Sequence, residues 1–272
     1  MLNIPNNILA TVVVFALVLG FGKGVFAIDV DPATVAKVRE MMGDKTVFEI
    51  TGPLAISDTK MKGLASAVIG NDKLRELRLW GITMGEEGAL ALAEALKQSK
   101  TLTKFVLVEC KIGAGGVKAL AEALEKNKNL VWLEIFGAKF GQAGAEALAK
   151  ALEKNDTLKT LYIDMNEIGP AGAQALATSL KKNRTLTTLF LGENRIKDVG
   201  ALAIADTLRV NSTLKTVKLR SNDITDVGAK ALADALKQKN ARLTALSLDA
   251  NKISSDLISQ LNQMLEKNKN SL

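Results

Sequence analysis

Leu74, Leu102, Leu130, Leu158, Leu186 and Leu214 stand 28 residues apart, and Leu243 follows after 29. Three and five positions beyond each comes another apolar residue: Leu77/Leu79, Phe105/Leu107, Leu133/Ile135, Leu161/Ile163, Leu189/Leu191, Val217/Leu219 and Leu246/Leu248. Such a period constrains a chain more than any local motif does. One period is a supersecondary unit too small to bury its own apolar face, so it must stack on copies of itself. The alternation around the second and third apolar positions predicts a short strand with one buried face. Further along each unit a glycine recurs (Gly88, Gly116, Gly144, Gly172, Gly200, Gly228), followed by stretches such as VKALAEALEKN and AQALATSLKKN. Their Leu and Ala fall at spacings of three and four, which marks one apolar face of a helix of about twelve residues.

The unit reads L-x-x-L-x-L-x-x-N-x-I-x-x-x-G-A-x-A-L-A-x-A-L-x-x-N, and it resembles the leucine-rich repeats of the ribonuclease-inhibitor type, the long class also found in the Ran GTPase-activating protein and NOD-like receptors. The resemblance covers residues 46–272. It implies an α/β leucine-rich-repeat solenoid, a horseshoe with parallel β-strands on its concave face and α-helices on its convex face. The motif's asparagine, which bonds backbone between units, is present as Asn166, Asn194, Asn222 and Asn251. Earlier units carry Ile82, Cys110 and Ala138 instead, so a looser or differently satisfied turn is expected in the N-terminal half. Cys110 then reads as a small buried hydrophobe. Residues 28–73 form an N-terminal capping helix, begun by Asp31-Pro32, and a degenerate repeat whose strand is VFEI at 47–50. Residues 74–272 hold seven repeats, the last acting as the C-terminal cap.

Composition narrows the function. The absence of His removes the commonest general base and metal ligand, and one Cys excludes both an internal disulfide and a thiolate zinc site. With no phosphate loop and no focused carboxylate cluster, no catalysis and no cofactor are expected. The 36 Lys and Arg are interspersed with 29 Asp and Glu rather than gathered in a basic block, which argues against a nucleic-acid partner. Residues 1–27 hold an apolar run from Ile8 to Gly22 and end in V-F-A, as a secretory signal peptide cleaved after Ala27 would. The expected location is therefore secreted, periplasmic or cell surface, with membrane attachment only if this segment is uncleaved. Asn155, Asn183 and Asn211 begin glycosylation sequons, but they arise from the repeat's own N-x-T-L junction.

The strand residues between the core positions point to the concave face. Down the array they read Glu76, Lys104, Trp132, Thr160, Thr188, Thr216, Ala245; then Arg78, Val106, Glu134, Tyr162, Phe190, Lys218, Ser247; then Trp80, Val108, Phe136, Asp164, Gly192, Arg220, Asp249. Trp80, Val108, Trp132, Glu134, Phe136, Tyr162, Asp164, Phe190, Lys218 and Arg220 form the candidate partner-binding patch, since apolar patches and exposed Trp and Tyr mark interfaces. Trp132, Phe136 and Tyr162 would anchor, and Glu134 and Asp164 would orient. The expected function is a non-catalytic, exported protein-binding scaffold. Three alternatives remain: a glycan-binding surface, a GTPase-activating-type regulator, and self-association or mere stiffening of the sheet by the aromatics.

Overall fold

The structure is a computed structural model that describes residues 32–237 and 242–270. The signal-peptide expectation for residues 1–27 lies outside the described residues. Helix and strand alternate throughout. The helices are α1 (Pro32–Met42), α2 (Asp58–Ile69), α3 (Glu86–Gln98), α4 (Gly113–Lys126), α5 (Gly141–Lys154), α6 (Gly169–Leu180), α7 (Lys197–Leu208), α8 (Asp226–Lys237) and α9 (Ser255–Asn270). The strands are β1 (Val47–Ile56), β2 (Glu76–Met84), β3 (Lys104–Val108), β4 (Trp132–Phe136), β5 (Thr160–Tyr162), β6 (Thr188–Phe190), β7 (Thr216–Lys218) and β8 (Ala245–Ser247). The strands pair in parallel and in chain order, forming one open sheet. Parallel strands sit about 4.8 Å apart while packed helices need about 8–10 Å, so a stack of such units must curve with its strands inside.

Sequence alternation decides which side of each strand is buried. Leu77, Leu79, Phe105, Leu107, Leu133, Ile135, Leu161, Leu189, Val217 and Leu219 are all at most 1% exposed. They meet Leu and Ala from the helices, among them Leu92, Leu120, Leu148, Leu176, Ile204 and Leu232, in one continuous core. The recurring glycine has a spatial cause. A Cβ at Gly116 would lie 2.8 Å from the Ala89 Cβ, and one at Gly200 would lie 3.0 Å from the Ala173 Cβ. Helix N-termini of successive units therefore approach too closely for any side chain at this position.

Two asparagine ladders tie the units together. The expected one follows the strands: Asn166, Asn194 and Asn222 are fully buried. The Asn194 amide donates to the carbonyls of Ile163 (2.9 Å) and Gly192 (3.0 Å), and its Oδ1 accepts the Asn166 N–H at 2.8 Å. The second ladder lies at the opposite corner, where each helix gives way to the next strand. Asn127, Asn155, Asn183 and Asn211 are at most 4% exposed. Asn155 Nδ2 donates to the carbonyls of Leu124 (2.7 Å) and Asn127 (3.2 Å), while its Oδ1 accepts the Thr157 and Leu158 N–H groups. The three sequon asparagines thus have their amide nitrogens buried and committed to backbone.

The early turns are differently satisfied, as their missing asparagines implied. Cys110 occupies the ladder position and its thiol donates to the Leu79 carbonyl at 3.3 Å, the bond an asparagine would make. Burial pushes that thiol up to about 11, so it stays protonated at neutral pH. Backbone supplies the rest: the Lys111 N–H donates to the Ile82 carbonyl at 2.9 Å, and a bridge joins Thr83 to Lys111. One consequence departs from the sequence reading. The first strand runs ten residues, Val47–Ile56, rather than four, and β2 runs nine. A register shift between Thr51 and Leu54 accommodates them, and there a Cβ at Gly81 (φ 68°) would lie 2.7 Å from the Gly52 carbonyl oxygen.

Candidate functional site

The sheet register fixes which concave-face side chains are neighbours. Lys104, Trp132, Thr160 and Thr188 form one row, and Val106, Glu134, Tyr162, Phe190 and Lys218 form the next. In the third row Trp80 aligns with Val108 and then with Phe136. These rows exist because alternate residues of each strand face the core, which leaves those between them on the opposite side.

Five of the predicted residues form a connected strip. Tyr162 and Phe190 stack, with ring centroids 4.5 Å apart and planes 22° from parallel. Phe136 tilts against Tyr162 at 6.1 Å and 49°. Trp132 donates its indole N–H to Glu134 Oε2 at 3.2 Å, and Lys104 Nζ lies 4.8 Å from the Trp132 ring centroid, a cation–π contact. Trp132, Phe136, Tyr162 and Phe190 are all half-buried, so each keeps part of its surface open to solvent.

Two carboxylates border the rings. Asp164 accepts the Gly192 N–H at 2.7 Å and the Tyr162 hydroxyl. Burial pushes its carboxyl up to about 6; those hydrogen bonds oppose the rise, and the charges of Glu193 and Glu134 add to it. Burial raises Glu134 too, against the pull of the Trp132 N–H and of Lys104 and Arg78. The Tyr162 phenol is raised by burial and by the adjacent carboxylates, so it stays neutral.

The remaining predicted residues divide. Val108 is a correction: expected on the open face, it is only 7% exposed, and Val106 only 3%. Small side chains in β3 sit between the larger ones of β2 and β4 and become a floor beneath them. Trp80 is 39% exposed and joins neither ring contact, being separated from Phe136 by Val108. Lys218 flanks Phe190 in register. Arg220 is turned to Glu193, with 3.3 Å between NH1 and Oε1. Sequence mapping missed Glu193, which belongs to the turn after the strand and is brought up by its left-handed backbone (φ 56°).

Beyond Lys104 the strip ends in an ion-pair network. Glu76 Oε1 meets Arg78 Nε at 2.7 Å and Lys104 Nζ at 2.9 Å, and Arg78 also reaches Glu49 at 3.4 Å. Burial would raise Glu76, but the bonds and charges of Arg78 and Lys104 outweigh it and hold the carboxyl below its usual range.

Comparison with known proteins bears on the scaffold. A leucine-rich-repeat family model matches residues 98–121, 154–177, 182–205 and 210–233. No curated protein shows significant sequence similarity to the chain. Among solved structures, the chain is similar to leiomodin-1 actin-binding site 2, with 26% identity and a TM-score of 0.44 over 48% of this chain and 75% of that one. It is also similar to the tropomodulin C-terminal domain of Caenorhabditis elegans, with 14% identity and a TM-score of 0.44 over 67% of this chain and 94% of that one. The Rad7 and Elc1 complex of yeast matches at 14% identity with a TM-score of 0.51 over 85% of this chain and 63% of that one, a likeness of fold. The 28-residue period, the parallel sheet and the buried asparagine ladder agree with the family match: the chain carries leucine-rich repeats.

Proposed function

We propose that the protein is a non-catalytic, exported scaffold that binds a protein partner through the aromatic strip on its strand face. The observation that carries this reading is the alignment of Trp132, Phe136, Tyr162 and Phe190 on three adjacent strands with their rings half-open. An interior use of these rings would bury them, as it buries Phe105 and Phe140. Partly open Trp and Tyr on a rigid frame lose little side-chain entropy on binding, which suits them as interface anchors. The helix carried by every unit supports placing the protein with the ribonuclease-inhibitor type. Export rests on residues 1–27 and is tested separately, by finding Ile28 as the mature N-terminus in an extracellular or periplasmic fraction.

The binding reading is tested by Trp132→Ala with Tyr162→Ala. The pair should weaken binding of an identified partner by on the order of 1,000-fold, because anchors at an interface centre are worth about 2 kcal/mol or more each and about 1.4 kcal/mol is tenfold. Unchanged affinity, with the circular dichroism spectrum and melting temperature intact, would overturn it.

A further inference from the structure

The aromatic strip has a charge pattern of its own, opposite in sign to the chain's net charge of +7. Among the described residues, neither Glu134 nor Asp164 enters an ion pair, whereas nearby Glu76 has two cationic partners and Glu193 has Arg220. Both unpaired carboxylates are partly desolvated and hydrogen-bonded to neutral donors, Glu134 by the Trp132 indole and Asp164 by Gly192 and Tyr162. Tyr162 adjoins both carboxylates and stacks on Phe190 on its other side. Glu134 and Tyr162 are register neighbours, and Asp164 follows Tyr162 by two residues on the same face. The groups that face this centre are Lys104 and Arg78 on one side, already held by Glu76, and Lys218 and the Glu193–Arg220 pair on the other.

Resting on the scaffold reading above, we propose that the strip receives an arginine side chain from a protein partner, its guanidinium laid against the Tyr162 ring on the side away from Phe190 and paired with the carboxylates of Glu134 and Asp164. The chemistry favours arginine for two reasons. A guanidinium is planar, so it stacks on rings and presents edge donors to carboxylates at the same time. It is also weakly hydrated and always charged, which suits a site where two carboxylates have already given up part of their water. An acidic segment would meet these carboxylates as like charges, and a purely apolar one would leave them further desolvated without a partner.

The test uses a random dodecapeptide library panned against the full chain, followed by calorimetric titration of one selected peptide. Selected peptides should share an arginine. Replacing that arginine with glutamine, or the protein's Glu134→Gln plus Asp164→Asn, should each weaken binding about tenfold or more, and the two changes together should cost less than their sum. Arginine to lysine should weaken it less. Affinity should also fall as pH is lowered from 7.5 to 5. The amide variants keep the size of the originals and one acceptor oxygen each, and a melting temperature no lower than that of the wild type will show that they fold. Peptides without arginine that lose affinity with Trp132→Ala plus Tyr162→Ala, but ignore the amide variants, would overturn the arginine inference and leave the scaffold reading standing. Binding indifferent to both variant pairs would overturn both. Selective binding of neutral oligosaccharides, with no arginine peptide recovered, would overturn it in favour of a sugar-stacking surface.

Discussion

Asp164 holds an ionisable group where the fold favours its neutral form. Its carboxyl is raised from 3.8 to about 6 by burial, so between those values the folded chain keeps a proton that the unfolded chain releases. The stabilisation is complete below the unfolded value and is lost as pH rises through about 6. Asp164→Asn mimics the neutral form at every pH. It should therefore match the wild type near pH 3.5 and exceed it by about 1–2 kcal/mol at pH 7.5, measured by urea denaturation at both pH values. The opposite result is expected at Asn194, fully buried and bonded to Ile163, Gly192 and Asn166. Asn194→Ala takes the side-chain partner from the Ile163 carbonyl and from the Asn166 and Ile168 N–H groups, while the Gly192 carbonyl keeps the Met165 N–H, and should cost about 2–4 kcal/mol by the same measurement. Cys110→Ala removes a weak thiol bond from the equivalent position and should cost less, about 1–2 kcal/mol.

Within a unit, strand length and turn type trade against each other. Where an asparagine follows the strand, its side chain takes the turn's backbone groups and the strand shortens to three residues, as in β5, β6 and β7. Its neighbours then adopt left-handed backbone, Met165 and Glu167 around Asn166, Glu193 and Arg195 around Asn194. Where Ile82 stands instead, backbone pairs with backbone and the strand runs on. Absence of the asparagine was plain in the sequence, but its replacement by strand extension was not, because that depends on what the neighbouring unit offers to pair with. The glycine that opens each helix is the element's other constraint. Gly116→Ala would place a Cβ 2.8 Å from Ala89 and should lower stability by about 1–3 kcal/mol through displacement of α4 from α3, read as a fall in melting temperature.

Across the whole molecule, each unit touches only the next, so disturbance should stay local. Leu261 of α9 is 2% exposed and helps cover the end of the core. Leu261→Ala should speed amide hydrogen exchange in β7 and β8 while leaving β2 and β3 as protected as in the wild type. Uniform loss of protection would mean the array unfolds as one cooperative block.

Sequence alone determined the period, the alternation of strand and helix, the core positions and the rows of residues on the strand face. It did so because parallel stacking copies one register from unit to unit, and a register is a matter of spacing. The tertiary structure decided which members of those rows reach the surface. Val106 and Val108 share their rows with Glu134 and Phe136, yet they are covered, since exposure depends on the size of side chains contributed by strands 28 residues away. It also decided which charges are paired: Arg78, Lys104 and Arg220 are held by carboxylates, while Glu134 and Asp164 enter no ion pair among the described residues. Charge pairing follows distances of a few ångströms between residues remote in sequence, which spacing along the chain does not specify.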